Sequence, residues 1–199
     1  MNKKEILITS ATRTAVGSLS GSLKNISSDE LGSAVISKAI NNSKIKNTDV
    51  DEIIMGQVLT ACAGQNPARQ AAMKSGIPKE KPAYVVNQVC GSGIRSIASG
   101  FQSIKSGDSN IVIAGGQESM SLAPHAIHLR DGKKLGDVEL TDTMIKDGLW
   151  DAFHGYHMGV TAENVATKFQ VTRQEQDKFA LNSQEKALKA QKENKFKNE

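Results

Sequence analysis

Ala83-Tyr84-Val85-Val86-Asn87-Gln88-Val89-Cys90-Gly91-Ser92-Gly93 carries a β-branched run, then a cysteine, then two glycines around a serine. Consecutive apolar residues at Tyr84-Val85-Val86 predict a buried strand in a sheet covered on both faces. Beyond Cys90, apolar residues at Ile94, Ile97, Ala98, Phe101 and Ile104 step by three and four, which is one face of a helix. Cys90 therefore falls at a strand-to-helix junction. Unpaired backbone N–H groups and the macrodipole at a helix start favour negative charge, which suits a thiolate nucleophile. Glycines beside it let a ligand approach the backbone. The plain alternative is a buried core cysteine, since free Cys is among the most buried residue types.

Outward from this stretch, strands alternate with helices. Strands are expected at Glu5–Ser10, Asp51–Val58, 83–87 and Asn110–Ala114, the last running into Gly115-Gly116. One helix opens at Ser27 or Ser28, with Glu30 placed to close a capping box on Ser27. Another opens at Asn66-Pro67, a cap followed by proline at the first helical position. Helix 91–106 carries only Arg95 and Lys105 as charges and reads as packed on most sides. The alternation makes a mostly parallel, layered α/β sheet, and ligands of such sheets bind beyond the carboxyl ends of the strands. Cys90 and Gly115–Ser121 both lie there. From Leu122 the periodicity fades into a loop-rich stretch to Met158, which sets a boundary between 1–121 and 122–199. A short helix begins near Gly159 with Thr161 as candidate cap. Thr172-Arg173-Gln174-Glu175 is a capping box before a long charged helix with Phe179, Ala180, Ser183, Ala187 and Ala190 inward.

The totals narrow the function classes. At 199 residues, 38% hydrophobic and 23% charged, the chain is an ordinary globular polypeptide able to bury a core. No apolar run approaches the ~18 residues of a membrane span. Ile6-Leu7-Ile8 is too short for a secretory h-region, which points to the cytoplasm. Two cysteines, Cys62 and Cys90, make no disulfide framework. The net charge of +4 owes much to the lysine-rich C-terminal stretch, and 4% aromatic content with no interleaved basic stripe argues against nucleic acid. A mild positive balance suits an anionic, phosphate-bearing substrate. His125-x-x-His128 and His154-x-x-His157 lack the cysteine or carboxylate company of a metal site, so no metal is assigned.

Asn87–Gly93 resembles the nucleophile loop of thiolases, and Gly115–Ser121 resembles their G-G-x-E-x-M-S turn. Further matches are Ala11–Thr14, Gly64–Ala71, Asp142–Leu149 and Tyr156–Asn164, so the resemblance covers nearly the whole chain. It is greatest to the N-terminal half of the biosynthetic acetyl-CoA acetyltransferases. The fold implied is the thiolase-like layered α-β-α arrangement plus a loop-rich subdomain for coenzyme A binding and tetramerisation. The resemblance makes Cys90 the residue acetylated as a thioester, its N–H helping to hold the oxyanion. It puts His157, Met158 and Leu149 on the pantetheine wall; for Met158 and Leu149 core packing is the alternative. It also gives residues 125–136 the tetramer loop, implying a homo-oligomer, dimer or tetramer.

The implied reaction is the ping-pong condensation of two acetyl-CoA to acetoacetyl-CoA, or the reverse thiolysis, with the coenzyme A thioester as substrate and no bound cofactor. Thiolases are about twice as long. Their N-E-A-F asparagine, G-H-P histidine and C-x-G-G-x-G cysteine have no counterpart in residues 1–199, and Cys62 does not match the missing cysteine. The C-terminal half of the fold is thus expected to be absent. The alternatives are a catalytically incomplete piece serving assembly or binding, and a related condensing enzyme with another acyl carrier.

Overall fold

A computed structural model describes residues 5–197 and 199; Met1–Lys4 and Asn198 lie outside it. The chain forms two compact units, one ending at Gly148 and one beginning at Leu149. The first is mixed α/β. Its elements are α1 (Ser28–Ser43), β1 (Glu52–Gly56), α2 (Pro67–Lys74), β2 (Ala83–Val86), α3 (Ser92–Ser106) and β3 (Val112–Gly116). The three strands form a parallel sheet in the order β2-β1-β3, with Ile53 opposite Ala83 and Ile113.

Local chemistry explains where these helices start. Glu30 closes the capping box by accepting the Ser27 N–H at 2.9 Å. Asn66 holds a left-handed backbone and accepts the Arg69 N–H at 3.1 Å, ahead of Pro67. Its amide also donates to Ala83 O at 2.8 Å, tying the head of α2 to β2.

Alternation along β1 sorts the layers. Ile53 and Met55 face α1 and α2 and join Ile36, Ile40, Ala68, Ala71 and Ala72 in the core. Gly56 faces the other way, towards α3. A Cβ built on Gly56 would lie 2.5 Å from Ser92 C and 2.7 Å from Gly93 N, so the helix backbone rests on the strand backbone there. Along α3 the buried residues are Ser92, Ser96 and Gly100. The Ser96 hydroxyl lies 2.7 Å from both Gly93 O and Gly115 O, and a Cβ on Gly100 would meet Val112 at 3.0 Å.

That orientation corrects two expectations. The apolar stripe of α3 faces outward, with Ile94 70% and Phe101 52% exposed. Small residues let the helix axis come closer to the sheet than a row of isoleucines would, so the serine and glycine face won the contact. Tyr84-Val85-Val86 is not fully buried either; Tyr84 is 40% exposed. β2 is an edge strand, and α3 packs mainly over β1 and β3.

Glu5–Ser10 is not a strand. Ile8 is 80% exposed, and the segment runs beside α1, where Thr9 Oγ1 meets Ser43 Oγ at 3.0 Å and Thr12 Oγ1 donates to Val35 O at 3.1 Å. The segment lies along α1 rather than on either edge of the sheet, so its apolar centre joins no ladder. The stretch after Met120 is loop-rich as expected, but it holds a short antiparallel pair, β4 (His125–Ala126) with β5 (Thr141–Asp142).

The second unit contains α4 (Met158–Phe169) and α5 (Arg173–Lys192). Thr172 and Glu175 form the expected box, with Thr172 N donating to Glu175 at 2.8 Å. The expected inner face of α5 is exposed instead, Phe179 at 78%. Its cap and the Arg173–Asp177 and Lys189–Glu193 pairs support it locally. Among the described residues no helix is long and apolar enough to cross a membrane.

Two measurements test this packing. Gly56→Ala should destabilise the fold by about 1–3 kcal/mol or more, because the new methyl meets backbone. Gly93→Ala, with nothing within 4 Å of its built Cβ, should instead gain up to about 1 kcal/mol; urea midpoints compare the two. Asp51 accepts the Asn110 and Ile111 N–H groups at 2.8 and 3.2 Å and pairs with Lys81. The two amides chiefly hold its carboxyl below the ordinary value. Its stabilising effect is therefore complete above the ordinary carboxylate range and is lost as pH falls through the lowered folded value. Asp51→Asn should flatten the acid limb of stability against pH.

Candidate active site

Cys90 sits where the sequence places it, between β2 and α3, one residue before the N-cap Gly91. Its side chain is exposed, which sets aside the core-cysteine alternative. The turn that presents it is strained. Val89 has φ +49°, a left-handed conformation that costs a β-branched residue on the order of 1–3 kcal/mol.

Neighbouring side chains hold that strain. Asn87 Oδ1 accepts the Val89 N–H at 2.9 Å. Ser92, buried under the turn, accepts the Gln88 N–H at 2.8 Å and donates to Val89 O at 2.6 Å. The Gly91 and Ser92 N–H groups donate to Gln88 O and Val89 O, both at 3.0 Å. This corrects the picture of a helix start with its amides unpaired, because those two are spent on the turn itself. Sequence reading missed Val89, Asn87 and Ser92. An Asn two residues ahead of Val89, in the turn before a serine-and-glycine helix start, was the available signal.

The turn after β3 lines the same sheet edge. The Gln117 N–H donates to Gly56 O at 2.9 Å. Glu118 accepts the Val58 and Leu59 N–H groups at 2.8 and 3.2 Å, and burial pushes its carboxyl above the ordinary value despite those bonds. Cys62, on the loop between β1 and α2, is exposed with φ +58°.

Leu149, His157 and Met158 belong to the second unit. Leu149 ends a π-helical turn, Ile145–Leu149. Trp150 next to it bridges antiparallel to His157, and the Asp151 N–H donates to Tyr156 O at 2.8 Å. That bridge sets Trp150, the neighbour of Leu149 in the chain, opposite His157, the neighbour of Met158. His157, not Thr161, caps α4: its Nδ1 accepts the Gly159 N–H at 3.0 Å, and Thr161 lies within the helix. Since Nδ1 accepts, the imidazole can offer a proton only from Nε2. Met158 is the first helical residue and partly exposed. His154 meets Asp151 at 3.0 Å, and His125 lies 3.9 Å from Asp142.

A pair of substitutions separates the cap from any other role of the imidazole. His157→Ala should destabilise α4 by about 1 kcal/mol, whereas His157→Asn keeps an acceptor and most of that stability. Circular dichroism and urea unfolding of the two variants provide the check.

Comparison with known proteins identifies the family. Residues 6–199 match the family described as "Thiolase, N-terminal domain". The acetyl-CoA acetyltransferase of Rhizobium meliloti (strain 1021) is 57% identical over 199 residues, covering 100% of this chain and 51% of that protein. The acetyl-CoA acetyltransferase of Shinella zoogloeoides is 56% identical over 100% of this chain and 50% of its own length. The cytosolic acetyl-CoA acetyltransferase of Rattus norvegicus is 51% identical, covering 96% and 48%. The chain spans about half the length of these curated relatives. A parallel sheet whose carboxyl edge presents a cysteine ahead of a helix, matched from Ile6 to its last residue, makes this chain a member of the thiolase family, corresponding to its N-terminal domain.

Proposed function

We propose that this chain is the N-terminal portion of an acetyl-CoA C-acetyltransferase. The observation that carries the reading is the exposed Cys90 on a strained, hydrogen-bonded turn at the head of α3. The Cys90 thiolate attacks the carbonyl carbon of acetyl-CoA; the carbon–sulfur bond to coenzyme A breaks, and the coenzyme A thiolate leaves and takes up a proton. A second acetyl-CoA loses an α-proton, and its carbanion attacks the acetyl carbon. The bond to Cys90 then breaks, releasing acetoacetyl-CoA and the thiolate. Thiolysis is the reverse. Two easier steps replace one hard condensation, and the Cys90 N–H helps to hold the oxyanion.

In this reading His157, Met158 and Leu149 line the pantetheine arm, and His157 Nε2–H is the group it can offer. Residues 1–121 form the α/β domain carrying the nucleophile. Residues 122–199 contribute part of a subdomain for coenzyme A binding and tetramer formation, the 125–136 loop joining dimers. The substrates are acetyl-CoA and acetoacetyl-CoA, with no resident cofactor, in the cytoplasm and in lipid metabolism. The base for the nucleophile and the residue taking the α-proton would come from the family's second half.

One observation favours a second reading, in which the chain serves only assembly or binding. The outward apolar stripe of α3, Ile94, Ile97 and Phe101, is a surface suited to another polypeptide. Mass spectrometry after incubation with acetyl-CoA separates the two, since an acetyl group on Cys90 supports the acyltransferase and an unmodified chain the module. Iodoacetamide should also modify Cys90 well before Cys62, and acetyl-CoA should block it. Equal, slow reaction of both thiols would overturn the nucleophile assignment.

A further inference from the structure

Glu118 is a half-buried ionisable group that the reaction above does not use. Its carboxylate accepts two consecutive main-chain amides, Val58 at 2.8 Å and Leu59 at 3.2 Å, on the segment leaving β1. Neighbouring side chains of the same turn grip the same region. Gln117 Nε2 donates to Gln57 Oε1 at 2.9 Å, and Gln57 Nε2 donates to Leu59 O at 2.9 Å and to Ser28 Oγ at 3.0 Å. Ser119 Oγ donates to Ile26 O at 3.0 Å. The gripped segment begins at Gly56, whose backbone carries Ser92 and Gly93. A path of direct contacts thus runs from the Glu118 carboxylate through residues 56–59 to the turn that holds Cys90.

The geometry points to Glu118 as a positioning residue: by clamping the Val58 and Leu59 amides it fixes the seat of α3, and with it the direction of the Cys90 thiol. The assignment rests on the acyl-carrier reading of Cys90. Stability alone does not account for a carboxylate here. Burial pushes its proton affinity up, and the two amides offset that only in part. As pH rises through the raised folded value, ionising Glu118 costs the fold stability; as pH falls through it, that cost is relieved and the clamp weakens. A glutamine carries one acceptor oxygen where the carboxylate offers two, so only the carboxylate can hold both amides at once.

The test compares the wild-type chain with Glu118→Gln. Amide hydrogen exchange should show Val58 and Leu59 protected at neutral pH and losing protection on acidification, with their neighbours in β1 unaffected. In Glu118→Gln the protection should drop by about tenfold and lose its pH dependence, as expected when hydrogen bonds to a charged acceptor are lost. The urea midpoint should change little, relief of the buried charge offsetting the amide left unpaired. Cys90 alkylation by iodoacetamide, referred to free glutathione, should slow by about threefold or more. Glu118→Asp, with a shorter carboxylate, should recover part of both effects.

Unchanged protection in the variant, or lost protection with an unchanged Cys90 rate, overturns the proposal. So does a drop in the urea midpoint with Cys90 unaffected, which is the mark of a structural group. A wild-type Cys90 no faster than glutathione counts against the acyl-carrier reading instead; the protection and the ratio of the two rates still judge Glu118.

Discussion

The contact of one backbone on another at Gly56 is the constraint on which the rest of the first unit depends. No side chain separates β1 from the first turn of α3, because a single methyl there would fall inside the van der Waals shell of Ser92 and Gly93. Once that distance is set, the underside of the helix can hold only Ser92, Ser96 and Gly100. Their hydroxyls must then find partners under low exposure, and they do so in the turn carbonyls and in β3. The strained Val89 is sustained by the same arrangement, since Ser92 both accepts from and donates to the turn.

Two carboxylates grip pairs of consecutive amides at opposite ends of the sheet, with opposite electrostatic outcomes. Asp51 stands at the entry to β1, near Lys81 and in contact with solvent, so its amide bonds prevail and its proton affinity falls. Glu118 stands beyond the exit of β1 and more deeply buried, so desolvation prevails and its proton affinity rises. The hydrogen-bond pattern is shared; burial sets the sign. The entry end of the sheet is thus tied in a way that favours the fold, and the exit end, where Cys90 lies, is tied at some cost to it.

Features dictated by neighbours in sequence were legible in the chain. The caps of α1, α2 and α5 depend on residues three apart, and each formed as read. The place of Cys90 followed from a β-branched run meeting a helical period. What failed depended on partners distant in sequence. The stripe of Ile94, Ile97 and Phe101 has the period of an inward face, but periodicity does not say which face a glycine on another strand will admit. Glu5–Ser10 has strand composition but lies along α1 rather than on a sheet edge, and Phe179 marks a helical face that stays exposed in its unit. His157 was read from resemblance as a substrate contact, while its capping of α4 escaped notice because imidazole is a rare cap beside Thr161, a common one.

The serine-and-glycine underside of α3 also bears on what lengths this part of the chain tolerates. Each residue turns a helix by about 100°. Removing one between Ser92 and Ser96 would bring the bulky Ile97 to the place of Ser96, which is fully buried against Gly115 O. Beyond Gly107, which ends the helix with φ +92°, the chain is free of that phase lock. Length variation among related chains should therefore collect after the helix, and its first half should behave as a segment of fixed count.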